Sequence, residues 1–182
     1  MFHFPTLFKF AAQYDGPSPL SFAQFPSLFP FFKWVDGTAI CNYIKGTTWI
    51  FPLVETIHIL SLVVLVGSVL LVDFRLLGIG MGRWTPKEMG RQLAPYMKYG
   101  LITILVTGTL LFIAEPRKLY DNAAFGPKML VLALAIIFQY TIFRKMETLD
   151  VPRSPVWGKL GALLSLALWF GVGVAGRAIG FV

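Results

Sequence analysis

The residues of this sequence best suited to chemistry are a glutamate and a histidine within a long apolar stretch. Glu55 and His58 lie three residues apart in the segment 49–80. On a helix this spacing brings both side chains to one face. A carboxylate or an imidazole inside a membrane-spanning helix costs free energy unless it faces protein, a cofactor or water. The pair therefore marks the candidate functional centre of the chain.

The composition is that of an integral membrane protein. Of 182 residues, 56% are hydrophobic and only 14% are charged, compared with about 25% charged residues in soluble domains. The net charge of +7 is attributed to loop residues that orient a membrane protein, so nucleic-acid binding is not expected. The single cysteine, Cys41, has no partner for a disulfide within the chain.

The sequence divides into an N-terminal arm, residues 1–46, and an apolar part, residues 47–182. The arm mixes aromatic residues and prolines with Lys33 and Lys45, which is typical of an interfacial segment on a membrane surface. A loosely packed arm is the alternative. The apolar part predicts an all-α membrane protein, an antiparallel four-helix transmembrane bundle. Its four spans are about 49–79, 97–114, 127–143 and 157–181.

Basic residues in the connectors predict the orientation. The connectors after the first and third spans are the more basic ones and are expected in the cytoplasm. Both termini then face the periplasm of a bacterial inner membrane. The residues on which this depends are Arg83, Lys87, Arg91 and Lys98 after the first span, and Arg144, Lys145, Arg153 and Lys159 after the third.

This topology gathers five polar residues in one leaflet: Glu55, His58, Arg117, Lys128 and Arg177. His58 lies nine residues past Trp49, hence about 13 Å deep at ~1.5 Å per residue. The arrangement suits haem b standing edge-on, with its iron on His58 and its propionates reaching the cations. Glu55 would orient the imidazole or interact with the cations.

The same residues also allow a simpler interpretation, a polar network that keeps the helices in register. The sequence has no second histidine within a span. The iron is then five-coordinate or takes a ligand from Met129, from a tyrosine, or from His58 of the partner subunit in a homo-oligomer. Near the other end of the first span, Asp73 and Arg75 are expected to form an interfacial ion pair or to contact lipid headgroups.

Small residues are expected where helices approach closely in lipid. Gly67, Gly171 and Gly173 are the candidates for such helix contacts. Gly108 either relieves crowding beside a flat cofactor or forms a further helix contact.

Several motifs carry a resemblance to known proteins. The stretches PLVETIHILSLVVLVGSVLLVDFRLLG, TGTLLF, AFGPKM and LWFGVGVAGRAIGF resemble an uncharacterised bacterial family of small four-helix membrane proteins over about residues 45–182. The pattern is more distantly similar to HemJ-type protoporphyrinogen oxidases and CopD-like copper proteins. In the HemJ type, the matching histidine is a haem ligand and a matching lysine is functionally important. The resemblance thus implies these roles for His58 and Lys128.

We expect a haem b protein that exchanges electrons with a membrane or periplasmic partner, either as a homo-oligomer or within a larger redox complex. Three alternatives stay open: an oxidase that depends on Lys128, CopD-like metal transport through His58 and the methionines, and a structural or assembly subunit of a larger membrane complex.

Overall fold

The computed structural model describes residues 20–80, 83–143 and 155–181, and this part of the chain is all-α. Two short 3-10 turns precede the first α-helix, and a π-helical turn, Gln139–Phe143, directly follows the sixth. The helices within these ranges are α1 Phe29–Asp36, α2 Ala39–Gly46, α3 Ile50–Leu77, α4 Pro86–Ala114, α5 Pro116–Asp121, α6 Phe125–Phe138 and α7 Pro155–Ala178.

Three of the described helices are long and apolar enough to cross a membrane, namely Ile50–Leu77, Pro86–Ala114 and Val156–Ala178 within α7. This supports the prediction of an all-α membrane protein. The third predicted span corresponds to α6 and its π turn, which form a shorter apolar helix, Phe125–Thr141.

The helix that contains the second predicted span begins eleven residues earlier than the predicted start at 97. Thr85 accepts a hydrogen bond from the Glu88 backbone N–H at 3.2 Å, and Glu88 Oε2 accepts one from the Thr85 N–H at 2.9 Å. This capping box, with Pro86 in the first turn, begins a helix before the apolar run does. The segment interpreted as a polar connector is therefore largely helical.

Helices α3 and α4 form an antiparallel pair. A Cβ built on Gly100 of α4 would lie 3.2 Å from Leu65 Cβ of α3, so the helices touch closely there. Helix α7 contacts both α3 and α6, and a Cβ on Gly171 would meet Val131 of α6 at 3.3 Å. The prediction of helix contacts was wrong for Gly67 and Gly173: a Cβ on either would have no described neighbour within 4 Å.

The described part of the arm, residues 20–46, is packed against the long helices rather than loose. The inner faces of α1 and α2 bury Phe32 and Cys41. The Phe32 ring lies 5.4 Å from the Phe112 ring and 5.1 Å from the Tyr120 ring, measured between centroids. The arm therefore covers the end of the bundle at which α4 ends and α6 begins.

One glycine is required by this packing. A Cβ on Gly126 in α6 would lie 2.7 Å from the carbonyl oxygen of Leu20, closer than real Cβ contacts. The start of the described arm thus passes directly over α6, and a hydrogen atom is all that fits between them.

Candidate functional site

His58 lies half-buried on α3, with its ring turned toward α4. Its Nδ1 is 2.8 Å from Thr107 Oγ1. The Thr107 hydroxyl donates its one hydrogen to the Thr103 carbonyl at 2.7 Å, so it accepts from His58 Nδ1–H. The carbonyl of Ile104, which can only accept, also interacts with the ring. This assigns the Nδ1–H tautomer and leaves a lone pair on Nε2.

Gly108 makes room for the imidazole ring itself. A Cβ at this position would lie 3.3 Å from His58 Cε1 and 3.9 Å from Nδ1. The Nδ1–Cε1 edge of the ring therefore lies against α4, and Nε2 is not among the ring atoms near that glycine. Of the two roles considered for Gly108, the structure favours the close contact between helices, here between the α4 backbone and a side chain of α3.

Two cations lie at the His58 end of the long helices. The charge of Lys128, in the first turn of α6, is close enough to His58 to interact with it electrostatically. The Lys128 side chain runs along α7, where a Cβ on Gly176 would be 3.8 Å from Nζ. The next residue, Arg177, is exposed, with its guanidinium carbon 4.7 Å from the centroid of the Phe181 ring.

Two other predicted members of the site lie elsewhere. The Glu55 side chain is exposed and no hydrogen bond or ion pair joins it to a described residue; it lies about 60° around α3 from His58, on the outer side of the shared face. The role proposed for it, orienting the imidazole, belongs to Thr107. Arg117 is turned toward the arm by α5, and its Nε is 2.9 Å from Asp36 Oδ2.

Asp36 is the centre of this contact between the arm and α5. Its other carboxylate oxygen, Oδ1, is 2.5 Å from Lys45 Nζ. The hydrogen bond from Lys45, with the charge of Arg117, holds the pKa of Asp36 below its usual value of 3.8. Arg117 is therefore engaged in fastening the arm.

Asp73 does not lie at the surface, as the expected contact with headgroups requires. Asp73 is fully buried, which excludes headgroup contact within the described structure, and Arg75 Nε donates to the carbonyl of Trp84. The sequence carried a signal for this burial. Leu65, Val69 and Asp73 recur every four residues and share one helical face, and the first two are core residues.

Thr107 carries no signal in the sequence that marks it as a site residue. A threonine in an apolar helix ordinarily bonds back to a carbonyl one turn earlier, and Thr107 does so too. Nothing in its sequence context distinguishes it from Thr103 or Thr109, which form only that local bond. Its position opposite His58 follows from the register of α3 against α4.

The assembled site offers an imidazole nitrogen with a free lone pair near Lys128, with Arg177 exposed at the same end of the bundle. Met129, a candidate second ligand, is 43% exposed on α6. Across residues 20–80, 83–143 and 155–181, no group of three or more His, Cys, Asp or Glu side chains is placed to hold a metal ion. The arrangement can thus bind an electron-accepting centre through one nitrogen, with anionic groups directed toward Lys128 and Arg177.

The chain belongs to a family described as a family of unknown function, DUF6644, whose model matches residues 31–182. The match includes most of α1 and all of α2 in the arm, as well as the long helices. Comparisons with curated proteins and with solved structures found no match.

Proposed function

We propose that this protein is a haem b-binding protein of the bacterial inner membrane that takes part in electron transfer, with His58 as the protein ligand. The observation that carries the proposal is the bond between His58 Nδ1 and Thr107. A ligating histidine is typically held through its other ring nitrogen by such an outer partner, which fixes the ring and its tautomer. Thr107 presents Nε2 in the unprotonated form that binds iron.

In this proposal the chain crosses the membrane four times, with α6 and its π turn as the third crossing. The antiparallel contacts between α3 and α4 and between α6 and α7 support such a bundle. The more basic connectors then face the cytoplasm and both termini face the periplasm.

Haem b bound here would supply a one-electron redox couple. Its propionates would pair with Lys128 and Arg177, the cations at the His58 end. Arg117 contributes less than the sequence suggested because Asp36 already engages it. With Met129 exposed on α6, we propose five-coordinate iron within one chain, or His58 of the partner subunit as the second ligand in a homo-oligomer.

Absorption spectra of the protein purified from haem-sufficient cells test the proposal. The wild type should show a Soret band, and His58→Ala should lose it. The matched control is His3→Ala, since His3 is the other histidine of the chain, and it should keep the band. Thr107→Val should keep a weaker band, because outer partners typically contribute 10–100-fold in metal affinity.

A folded but colourless wild-type protein that also fails to bind added haemin would overturn the proposal. Equal Soret bands in wild type and His58→Ala would do the same by excluding His58 as the ligand. Where His58→Ala does not fold, His58→Gln serves instead, since its carboxamide can still bond to Thr107 but is a poor iron ligand.

The second candidate function is that of a structural or assembly subunit. The His58–Thr107 hydrogen bond also joins α3 to α4. A purely structural role, in which the bond only holds these two helices together, is consistent with it. A colourless protein that co-purifies with a larger membrane complex and tolerates His58→Gln would favour it. Metal transport has less support, given the lack of a multi-residue ligand group in the described ranges.

A further inference from the structure

Three buried polar atoms in the half of the bundle away from His58 have no hydrogen-bond partner within the described structure. They are Gln139 Oε1, Ser165 Oγ and Trp169 Nε1. Their residues are 7%, 0% and 3% exposed, respectively. Burying a polar atom without a hydrogen bond costs free energy, most of all in a membrane. Each of these atoms therefore requires a hydrogen-bond partner beyond the described side chains.

The register of α6 against α7 places Gln139 and Ser165 on the facing sides of one interface. Lys128 of α6 lies against Gly176 of α7. Gln139 and Ser165 are each eleven residues from those positions, toward the other end of the antiparallel pair. Eleven residues of helix correspond to a rotation of about 1100° around the helix axis, which is three full turns and about 20° more. Gln139 and Ser165 therefore lie on the same sides of their helices as Lys128 and Gly176, about 16 Å further along.

The intervening contact agrees with this register, because a Cβ on Gly171 would meet Val131 of α6 at 3.3 Å. Trp169 follows Ser165 by four residues and so lies one turn away on the same face of α7. Gln139 opens the π-helical turn, a local widening of the helix that is frequent at functional sites.

The carboxamide of Gln139 has only a weak partner. Its Nε2 is 3.7 Å from Met97 Sδ, and a thioether is a poor acceptor. Exchanging the amide oxygen and nitrogen would still leave a buried polar atom without a partner. The Gln139 carboxamide therefore lacks a hydrogen-bond partner in either orientation.

We propose that Gln139, Ser165 and Trp169 enclose a binding site for water inside the bundle. The donors and acceptors balance for water: it accepts from Trp169 Nε1–H and the Ser165 hydroxyl and donates to Gln139 Oε1. A bare cation fits poorly, since the site offers two neutral oxygens and turns an N–H donor toward the ligand. The site is separate from the one proposed at His58 and does not depend on it.

Solid-state NMR of the full chain in lipid vesicles tests the proposal. The indole N–H signal of Trp169 is assigned as the one of the five tryptophan signals that is missing in Trp169→Phe. In the wild type this signal should show a cross-peak to water. The exposed Trp34 provides the positive control, and the backbone N–H of fully buried Ala135 provides the negative one.

The variant Gln139→Leu/Ser165→Ala should lose the Trp169 cross-peak while the Trp34 cross-peak is unchanged. Absence of the cross-peak in the folded wild type would overturn the proposal. Its persistence at full intensity in the double variant would overturn it as well, because these side chains would then not be holding the water. Should the double variant not fold, Ser165→Ala alone is used, with a weaker cross-peak and a shifted indole signal expected.

Discussion

The two ends of the helical bundle satisfy their polar groups in different ways. At the His58 end, protein partners do so: Thr107 pairs with the imidazole and Asn122 donates to the carbonyl of Ile179 at 3.0 Å. Toward the other end, Gln139 and Ser165 have polar atoms without a partner in the described structure. The comparison teaches that at the His58 end the described chain supplies partners for its polar side chains across helix contacts, whereas Gln139 and Ser165 find none among the described residues.

The arm is a second difference between the two ends, because it packs over the His58 end. Phe112 lies four residues beyond Gly108 on α4, hence one turn above the His58 ring. Around it, the rings of Phe31, Phe32 and Phe125 lie with centroids 6.4, 5.4 and 6.0 Å away, respectively. These rings of the arm, α4 and α6 form an aromatic cover directly above the His58 ring.

The largest expected effect is that of Phe32→Ala, which tests whether the arm closes the His58 end. Phe32 is 5% exposed and contacts two other rings. Truncation of a buried phenylalanine costs about 3–5 kcal/mol, which should appear as weaker docking of the arm. Hydrogen exchange in α1 and α2 should accelerate, while exchange in the core of α3 stays unchanged.

The matched control for Phe32→Ala is Trp34→Ala, on the same helix but 68% exposed, and it should leave exchange in α2 unchanged. Equal acceleration in both variants would show that the arm is held by something other than its inner face. The inner face of α1 would then not be what closes the His58 end.

A smaller effect is expected from Gly126→Ala. The new Cβ would lie 2.7 Å from the Leu20 carbonyl oxygen, and overpacking of this kind typically costs about 1–3 kcal/mol. Gly67→Ala is the matched control on a long helix, with no neighbour within 4 Å of its Cβ. Thermal unfolding should show a lower Tm for Gly126→Ala and an equal or higher one for Gly67→Ala, since alanine favours helix by about 1 kcal/mol. The reverse order would exclude close packing of the arm on α6.

The sequence predicts the long helices well and the contacts between them poorly, for physical reasons. Hydropathy and length identify α3, α4 and α7, since burial in a membrane requires apolar runs of this size. The start of α4 was also readable, because Thr85, Pro86 and Glu88 form a local capping signal. It was missed because the interpretation followed hydropathy alone.

Contacts between helices depend on register and rotation, which no local pattern specifies. His58 was recognised because a histidine is rare inside a span, but its partner Thr107 was not. Glu55 and Arg117 were assigned to the same site because they lie at the same depth. Depth alone does not determine direction: Glu55 faces outward, and α5 turns Arg117 to Asp36.

The smallest expected effect concerns acid and the two ion pairs of Asp36, one within the arm to Lys45 and one that fastens the arm to Arg117 of α5. Lys45, and to a lesser extent Arg117, lower the pKa of Asp36 below 3.8. A group whose pKa is lowered by folding contributes stability above its unfolded pKa, and that stability is lost as the pH falls through the lowered value. The arm should therefore stay docked at neutral pH and loosen only below about pH 3.8. Because both cations are substantially exposed, the effect is modest and diminishes with salt.

Distances between spin labels at Ile40 and Val106 measure this loosening, since both positions are exposed and the fully buried Cys41 does not compete for the label. The distance distribution should broaden on acidification and be restored at neutral pH. In Asp36→Asn the ion pairs are absent at every pH, so the distribution should already be broader at pH 7 and change less in acid. An equal acid response in both proteins would assign the loosening to other carboxylates, such as Glu115. The aromatic cover would then be what holds the arm over the His58 end.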